Sequence, residues 1–260
     1  MATITTAGSG NWEAGATWTG GSVPADGDTA SIESGHTCTL TENEQVGAVV
    51  INGGTIAGGG FKITCVKTSG RLFDHSGTIT GNLDVELQGT HTTTEDFMGT
   101  GNIRNLTLNG SGLNVDIGRA TTIDGNLTIT QGTLHTNASS NHALTVTGDC
   151  IVGDGAGSAD TAVLTGNASA ISLGSLTINS DGKYDATSGT TTITSERSGD
   201  YALDKHSNGT FAHNSGTITV TTNTNTFFRG FEGTDTSGTG ANALNNLIVN
   251  LTGSANYYLR

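Results

Sequence analysis

One proline, two tryptophans and ten basic residues are all that this chain of 260 residues contains of those kinds. Each scarcity removes a class of protein. With only 10 Lys and Arg against 23 Asp and Glu, the net charge is −13 and the isoelectric point near 4.6. Phosphate recognition needs clustered cations, so nucleic acid and anionic membranes are not expected partners. No apolar run is long enough to span a bilayer as a helix. Charged residues are 13% of the chain, too few for ordinary disorder, which rests on high net charge and few apolar groups. Lys, Glu and Ala are sparse beside Thr, Ile and Val, which argues against helix and for strand. Three cysteines, Cys38, Cys65 and Cys150, do not make a closed disulfide framework. They read as small buried thiols, with a Cys38–Cys65 bridge as the alternative.

What is abundant is glycine, 40 residues, together with Thr, Ser and Asn. Apolar residues alternate with Thr or Asn in short bursts that end at Gly or Asn, which is strand-and-turn punctuation. The bursts repeat. "NLTL" at Asn105, "NLTI" at Asn126, "SLTI" at Ser175 and "NLIV" at Asn246 are similar, with "NLDV" at Asn82 and "ALTV" at Ala143 as relatives. A second theme is "FDHSGTIT" at Phe73 and "FAHNSGTITV" at Phe211. The period is roughly 20–25 residues, in the range of solenoid repeats. Leu106 and Leu108 can point one way and Thr107 the other. One such unit cannot bury its apolar side alone, but stacked units place Leu on Leu and Ile on Ile in one narrow core. These features predict an all-β fold, a right-handed parallel β-helix of roughly ten or eleven turns in a single elongated domain. The competing fold is a pair of antiparallel sandwiches, weakened by the shortage of two-residue hairpin signals.

The stretch "NWEAGATWTGGSVPADGDTASIESGHTCTL", from Asn11 to Leu40, stands apart and holds both Trp residues and Pro24. A solenoid leaves unpaired backbone groups at its ends, and terminal turns are therefore atypical. Residues 1–45 are thus expected to be a capping and docking segment, and 46–260 the repeat region. Trp12 and Trp18 would lie over the first apolar cross-section. Trp12, Trp18 and Pro24 are the candidate docking residues at this end. Phe227, Phe228 and Phe231, the densest aromatic group, are candidates at the other, with burial as a core plug as their competing role.

The pattern carried by Trp12, Trp18, Gly21, Val23, Pro24, Gly27, Asp28, Ile32, Gly35, Thr37 and Leu40 resembles the glycine-rich G8 domain. It is also similar to the N-termini of β-helical virion proteins of marine phages, and the later repeats resemble those of large phage and bacterial surface proteins. The resemblance covers about the first 60 residues. It implies a structural or adhesive role without enzymatic activity. Proteins of this kind are often homotrimers that contact other virion proteins, and some touch a host-surface glycan.

Chemistry leaves few traces. There is no P-loop, G-x-S-x-G, H-E-x-x-H or C-x-x-C. Carboxylates cluster at Glu42 with Glu44, Asp84 with Glu86 and Glu95 with Asp96. Asp84 and Glu86 would share an outward side, at a spacing a glycosidase pair can use. At 5%, aromatics are too few for a sugar platform beside them. "VGDGAGSAD" at Val152 supplies Asp154 and Asp160 for Ca2+, the one cofactor with any support, although Ca2+ asks for six or more oxygens. His75 and His213 occupy matching places in the second theme, which favours a structural role. No catalytic residue and no metal ligand are assigned. The N-terminus "MATITTAGSGN" has neither a basic start nor an apolar stretch, so the expectation is a chain without a secretory signal. A phage protein leaves its host by lysis and needs none. The leading expectation is therefore a virion structural protein, a tail fibre or capsid decoration. A cell-surface adhesin or filament subunit is the first alternative, and a polysaccharide-degrading tailspike the second.

Overall fold

The computed structural model describes residues 2–68, 70–90, 97–98, 103–157, 159–197, 201–223, 226–229, 242–252 and 256–259. The chain is a parallel β-helix of about nine turns, in a single elongated domain. Strands pair parallel with those one turn before and after, which excludes the sandwich alternative. Turns number fewer than expected because they lengthen along the chain. Leu106 and its partner Leu127 are 21 residues apart, but Leu176 and its partner Leu203 are 27 apart.

Each turn has three faces. The first begins with Thr3–Thr5, Thr29–Glu33, Ala48–Asn52 and Phe73–His75. The second begins with Gly10–Asn11, Thr37–Thr39, Thr55–Ala57 and Thr78–Thr80. The third begins with Glu44–Val46, Lys62–Cys65 and Leu83–Gln88. Alternation sends every second side chain inward, and the register stacks like on like. On the third face Ile63, Val85, Leu106, Leu127, Cys150, Leu176, Leu203 and Phe228 form one column. All are buried. Each such aliphatic side chain contributes about 1.5–3 kcal/mol through burial, so the stack of columns holds the turns together.

The Asn of the repeat has its own column at the corner before the third face. Asn105 Oδ1 accepts the backbone N–H of Asn126 at 2.9 Å, and Asn126 Oδ1 accepts that of Asp149 at 2.9 Å. Ser175 Oγ then donates to Asp149 Oδ1 at 2.7 Å. The glycines before these residues are required by close approach. A Cβ on Gly148 would clash with Asn126 Oδ1, and one on Gly174 with the Gly148 carbonyl.

Three of the sequence similarities need correction. "NLDV" is shifted, because Asp84 rather than Asn82 stands in register with Asn105, with an irregularity between Leu83 and Asp84. "ALTV" and "NLIV" lie on the second face, where Leu144 pairs with Ile171 and Leu247 with Ile218. The physical reason is that every corner opens onto the same apolar–polar–apolar step, whichever face follows. The second theme is in true correspondence: Phe73 and Phe211 are both buried on the first face, and Ile79 and Ile218 both buried on the second.

The three cysteines are free and buried. Cys38 is on the second face and Cys65 on the third, so the Cys38–Cys65 bridge is not formed.

Candidate functional site

At the N-terminal end the chain leaves the second face at Asn11 and returns to the first at Thr29. The strands from Thr29 to Val46 already complete a turn, so the atypical segment is residues 12–28, within the expected 1–45. Trp12 and Trp18 pack edge to face, 5.0 Å between centroids at 76°. Trp18 Nε1 donates to the Trp12 carbonyl at 2.6 Å, whereas Trp12 Nε1 has no hydrogen-bond partner. The Trp12 N–H donates to the Thr39 carbonyl at 2.8 Å, tying the lid to the next turn. Both indoles and Pro24 are buried. They form the inside of the cap, so any contact surface at this end is made by exposed neighbours such as Asn11 and Thr19–Gly21.

Beside the cap, Glu13 joins Glu42 and Glu44, with ligand oxygens within 4.8 Å of one another. Glu44 takes the inward position in register with Ile63, and its Oε1 is buried without a partner. Burial, and then the neighbouring Glu13 and Glu42, push the Glu44 carboxyl up to about 7. Burial also works to raise Glu13, but hydrogen bonds from its own backbone and from Thr41 hold it below the usual range. Burial together with adjoining carboxylates favours the protonated form of Glu44. Three carboxylates could also hold a hard cation, though with fewer oxygens than Ca2+ prefers. Glu13 was missed in the sequence because it lies 29 residues before Glu42, across the folded-back cap.

Asp84 and Glu86 do share the outward side, and each is committed to a partner. Arg104 grips Asp84 in a fork, Nε to Oδ1 at 2.8 Å and Nη2 to Oδ2 at 2.6 Å, and Asn105 adds a third donor. Glu86 accepts from Lys62 at 2.6 Å, Gln88 at 2.7 Å and Asn109 at 3.1 Å. Burial works to raise Glu86, but Lys62, Gln88 and Asn109 outweigh it and hold the carboxyl low. A general acid needs the opposite shift. Further along the same face Arg229 grips Asp204 at 2.6 Å, and Arg197 approaches Asp149 at 3.9 Å. Lys62, Arg104, Arg197 and Arg229 thus join one turn to another.

Of the aromatic group, Phe228 is buried in the third-face column, and Phe227 is half-buried in an outward row. Phe227 lies 5.7 Å from Tyr201 and stacks on Tyr258 at 4.9 Å, with the Arg229 guanidinium 4.5 Å over the Tyr201 ring. Phe231, like Glu95 and Asp96, lies outside the described residues. Asp154 and Asp160 do not converge. Asp154 Oδ1 accepts the Ala156 N–H, and Asp160 Oδ1 accepts the Thr210 hydroxyl. His75 is buried, and His213 Nδ1 accepts the Ser215 N–H at 2.9 Å.

Unforeseen in the sequence is a cleft of about 440 Å³ at the corner between the third and first faces. Ser111, Asn114, Gln131, Thr133, Asp160 and Thr161 line it. The signal that could have found it is the lengthened step at "VGDGAGSAD". No family model, no curated protein and no solved structure matches this chain.

Proposed function

We propose that this protein is a non-enzymatic structural element of a phage virion, a rod that serves as a tail fibre or capsid decoration and associates with copies of itself and with other virion proteins. The observation that carries the non-enzymatic half is the pairing of Asp84 with Arg104 and of Glu86 with Lys62. The outward carboxylates best placed for glycan cleavage are instead staples between turns. The virion half rests on the N-terminal pattern, in which Trp12, Trp18, Pro24, Ile32 and Leu40 are all buried. These residues form a sealed end from which a stack of strands can grow.

The test is to raise antibodies to the purified chain and locate it by electron microscopy on particles, with its mass in solution measured by sedimentation. Labelling at a fixed place on the particle, with a mass of a multiple of 26.3 kDa, is the expected result. A compact monomer absent from every particle overturns the proposal. So does release of reducing ends from a glycan panel that is abolished by Asp84→Asn or Glu86→Gln.

A further inference from the structure

The outside of this rod is mostly a repeating pattern of short polar side chains, interrupted at one corner. The strands Ile103–Asp116 and Leu127–His135 both pass from the third face to the first without a break. In the following turn the two faces are separated. Ile129 is in register with Val152, and Gly132 with Ala162. Only residues 130–131 lie between the first members of these pairs, but residues 153–161 lie between the second. Of the described residues in this stretch, 154–157 and 159–161 are exposed, and Asp160 and Thr161 form one wall of the cleft.

That wall is built to hold its shape. Asp181, one turn on and 1% exposed, receives the Gly155 N–H at 2.8 Å, the Asp154 N–H at 3.3 Å and the Thr161 hydroxyl at 3.2 Å. The Thr161 carbonyl accepts the Gly132 N–H at 2.8 Å, which joins the wall to the floor. Asp160 is held by Thr210 at 2.9 Å. A concavity bounded by a fixed wall is preorganised, which lowers the cost of binding.

The volume, about 440 Å³, is that of a small-ligand site. Its lining selects the chemistry. Ser111, Gln131, Thr133 and Thr161 offer hydroxyl and amide groups, and Val163 adds apolar surface. Asn114 Oδ1 is buried without a hydrogen-bond partner, an acceptor that a donor would satisfy. Asp160 is the sole charged residue among the described residues of the lining, and no cation is among them. With a net charge of −13 around it, the cleft disfavours phosphate, sulfate and carboxylate groups.

We propose that this cleft binds an uncharged, hydroxyl-rich ligand, a segment of a neutral oligosaccharide. Hydroxyls would meet the amide and hydroxyl lining, and a ring C–H face would meet Val163. This assignment is independent of where the rod is installed, so it can stand or fall apart from the virion reading.

The experiment uses the purified full chain on an array of neutral, sialylated and sulfated oligosaccharides, followed by calorimetry on the best glycan. Retention of a neutral glycan is expected, with anionic ones rejected. Gln131→Ala, at an exposed position, is expected to weaken binding about tenfold, the loss of one or two hydrogen bonds. Ser111→Trp, also exposed, is expected to fill the cleft and abolish binding while circular dichroism and melting are unchanged. Failure to retain any neutral glycan, preference for anionic ones, or full binding by the Gln131→Ala variant overturns the proposal.

Discussion

The side chain of Asn105 accepts the backbone N–H of Asn126, and Asn126 does the same for Asp149 one turn later. The relationship explains why Asn precedes Leu in the repeat. At a corner the strand ladder is interrupted, and a backbone donor there needs another acceptor. Replacing Asn126 with Ala removes the acceptor for Asp149 while leaving Leu127 in the core. The expected cost is about 1–2 kcal/mol, that of a lost hydrogen bond with a donor left behind. A shift of the urea midpoint with unchanged slope checks this. An unshifted midpoint refutes the role of the Asn column.

The two tryptophans of the cap make unequal demands. Trp18 Nε1 donates to the Trp12 carbonyl, but Trp12 Nε1 has no partner. Phenylalanine preserves most of the aromatic bulk and removes the donor in either case. Trp18→Phe is therefore expected to cost about 1–3 kcal/mol more than Trp12→Phe. Trp12→Ala opens a cavity over the first turn and is expected to cost about 3–5 kcal/mol. Hydrogen exchange resolved along the chain should show the loss concentrated in residues 3–57, since turns contact only their neighbours. Equal costs for the two Phe variants would contradict the geometry.

These cases show what was readable in advance. Leu106, Leu127 and Leu176 declare their inward column because alternation with Thr is a local signal and stacking follows from the period. The displaced "NLIV" and the shifted "NLDV" escape the pattern for different reasons: Leu247 follows an Asn at a corner just as Leu106 does, but nothing local says which corner, whereas Leu83 is at the right corner and the irregularity between Leu83 and Asp84 that offsets it has no local mark. The partner of Asp84 was hidden because Arg104 is 20 residues away, about one turn, and no pattern marks it. Likewise Asp181 is the anchor that makes "VGDGAGSAD" a wall rather than a calcium loop. Its role depends on a contact 26 residues distant. Alternation reports faces; side-chain partners between turns require the register.

The cysteines offer a direct test of core integrity. Burial pushes the thiols of Cys38, Cys65 and Cys150 up to about 12, with Glu13 and Glu44 adding to the effect at Cys38. At pH 8 the reactive thiolate is then only about one part in ten thousand. The folded protein is expected to be inert to a thiol-specific chromogenic disulfide, and denaturant without reductant should release all three thiols. A count of one in denaturant would reveal a bridge and contradict the placement of Cys38 and Cys65 on separate faces.

Glu44 gives the cap a pH dependence of unusual sign for a carboxylate. Its folded pKa is raised from 4.5 to about 7 by burial and by Glu13 and Glu42. The folded state therefore holds this proton more tightly than the unfolded chain does. The stability that Glu44 contributes is fully present below about pH 4.5 and is lost as pH rises through about 7. Glu13 and Glu86, whose pKa values are lowered, act in the opposite sense and lose their contribution in acid. The Glu44 effect must thus be read as a difference between proteins. Glu44→Gln keeps the shape of the protonated acid but cannot ionise. Its melting temperature is expected to match the wild type near pH 4 and to exceed it at pH 8, with the gap opening between pH 4.5 and 7. Calorimetry of both proteins across that window checks the prediction, and a constant gap at all pH values would mean that folding does not raise the Glu44 carboxyl.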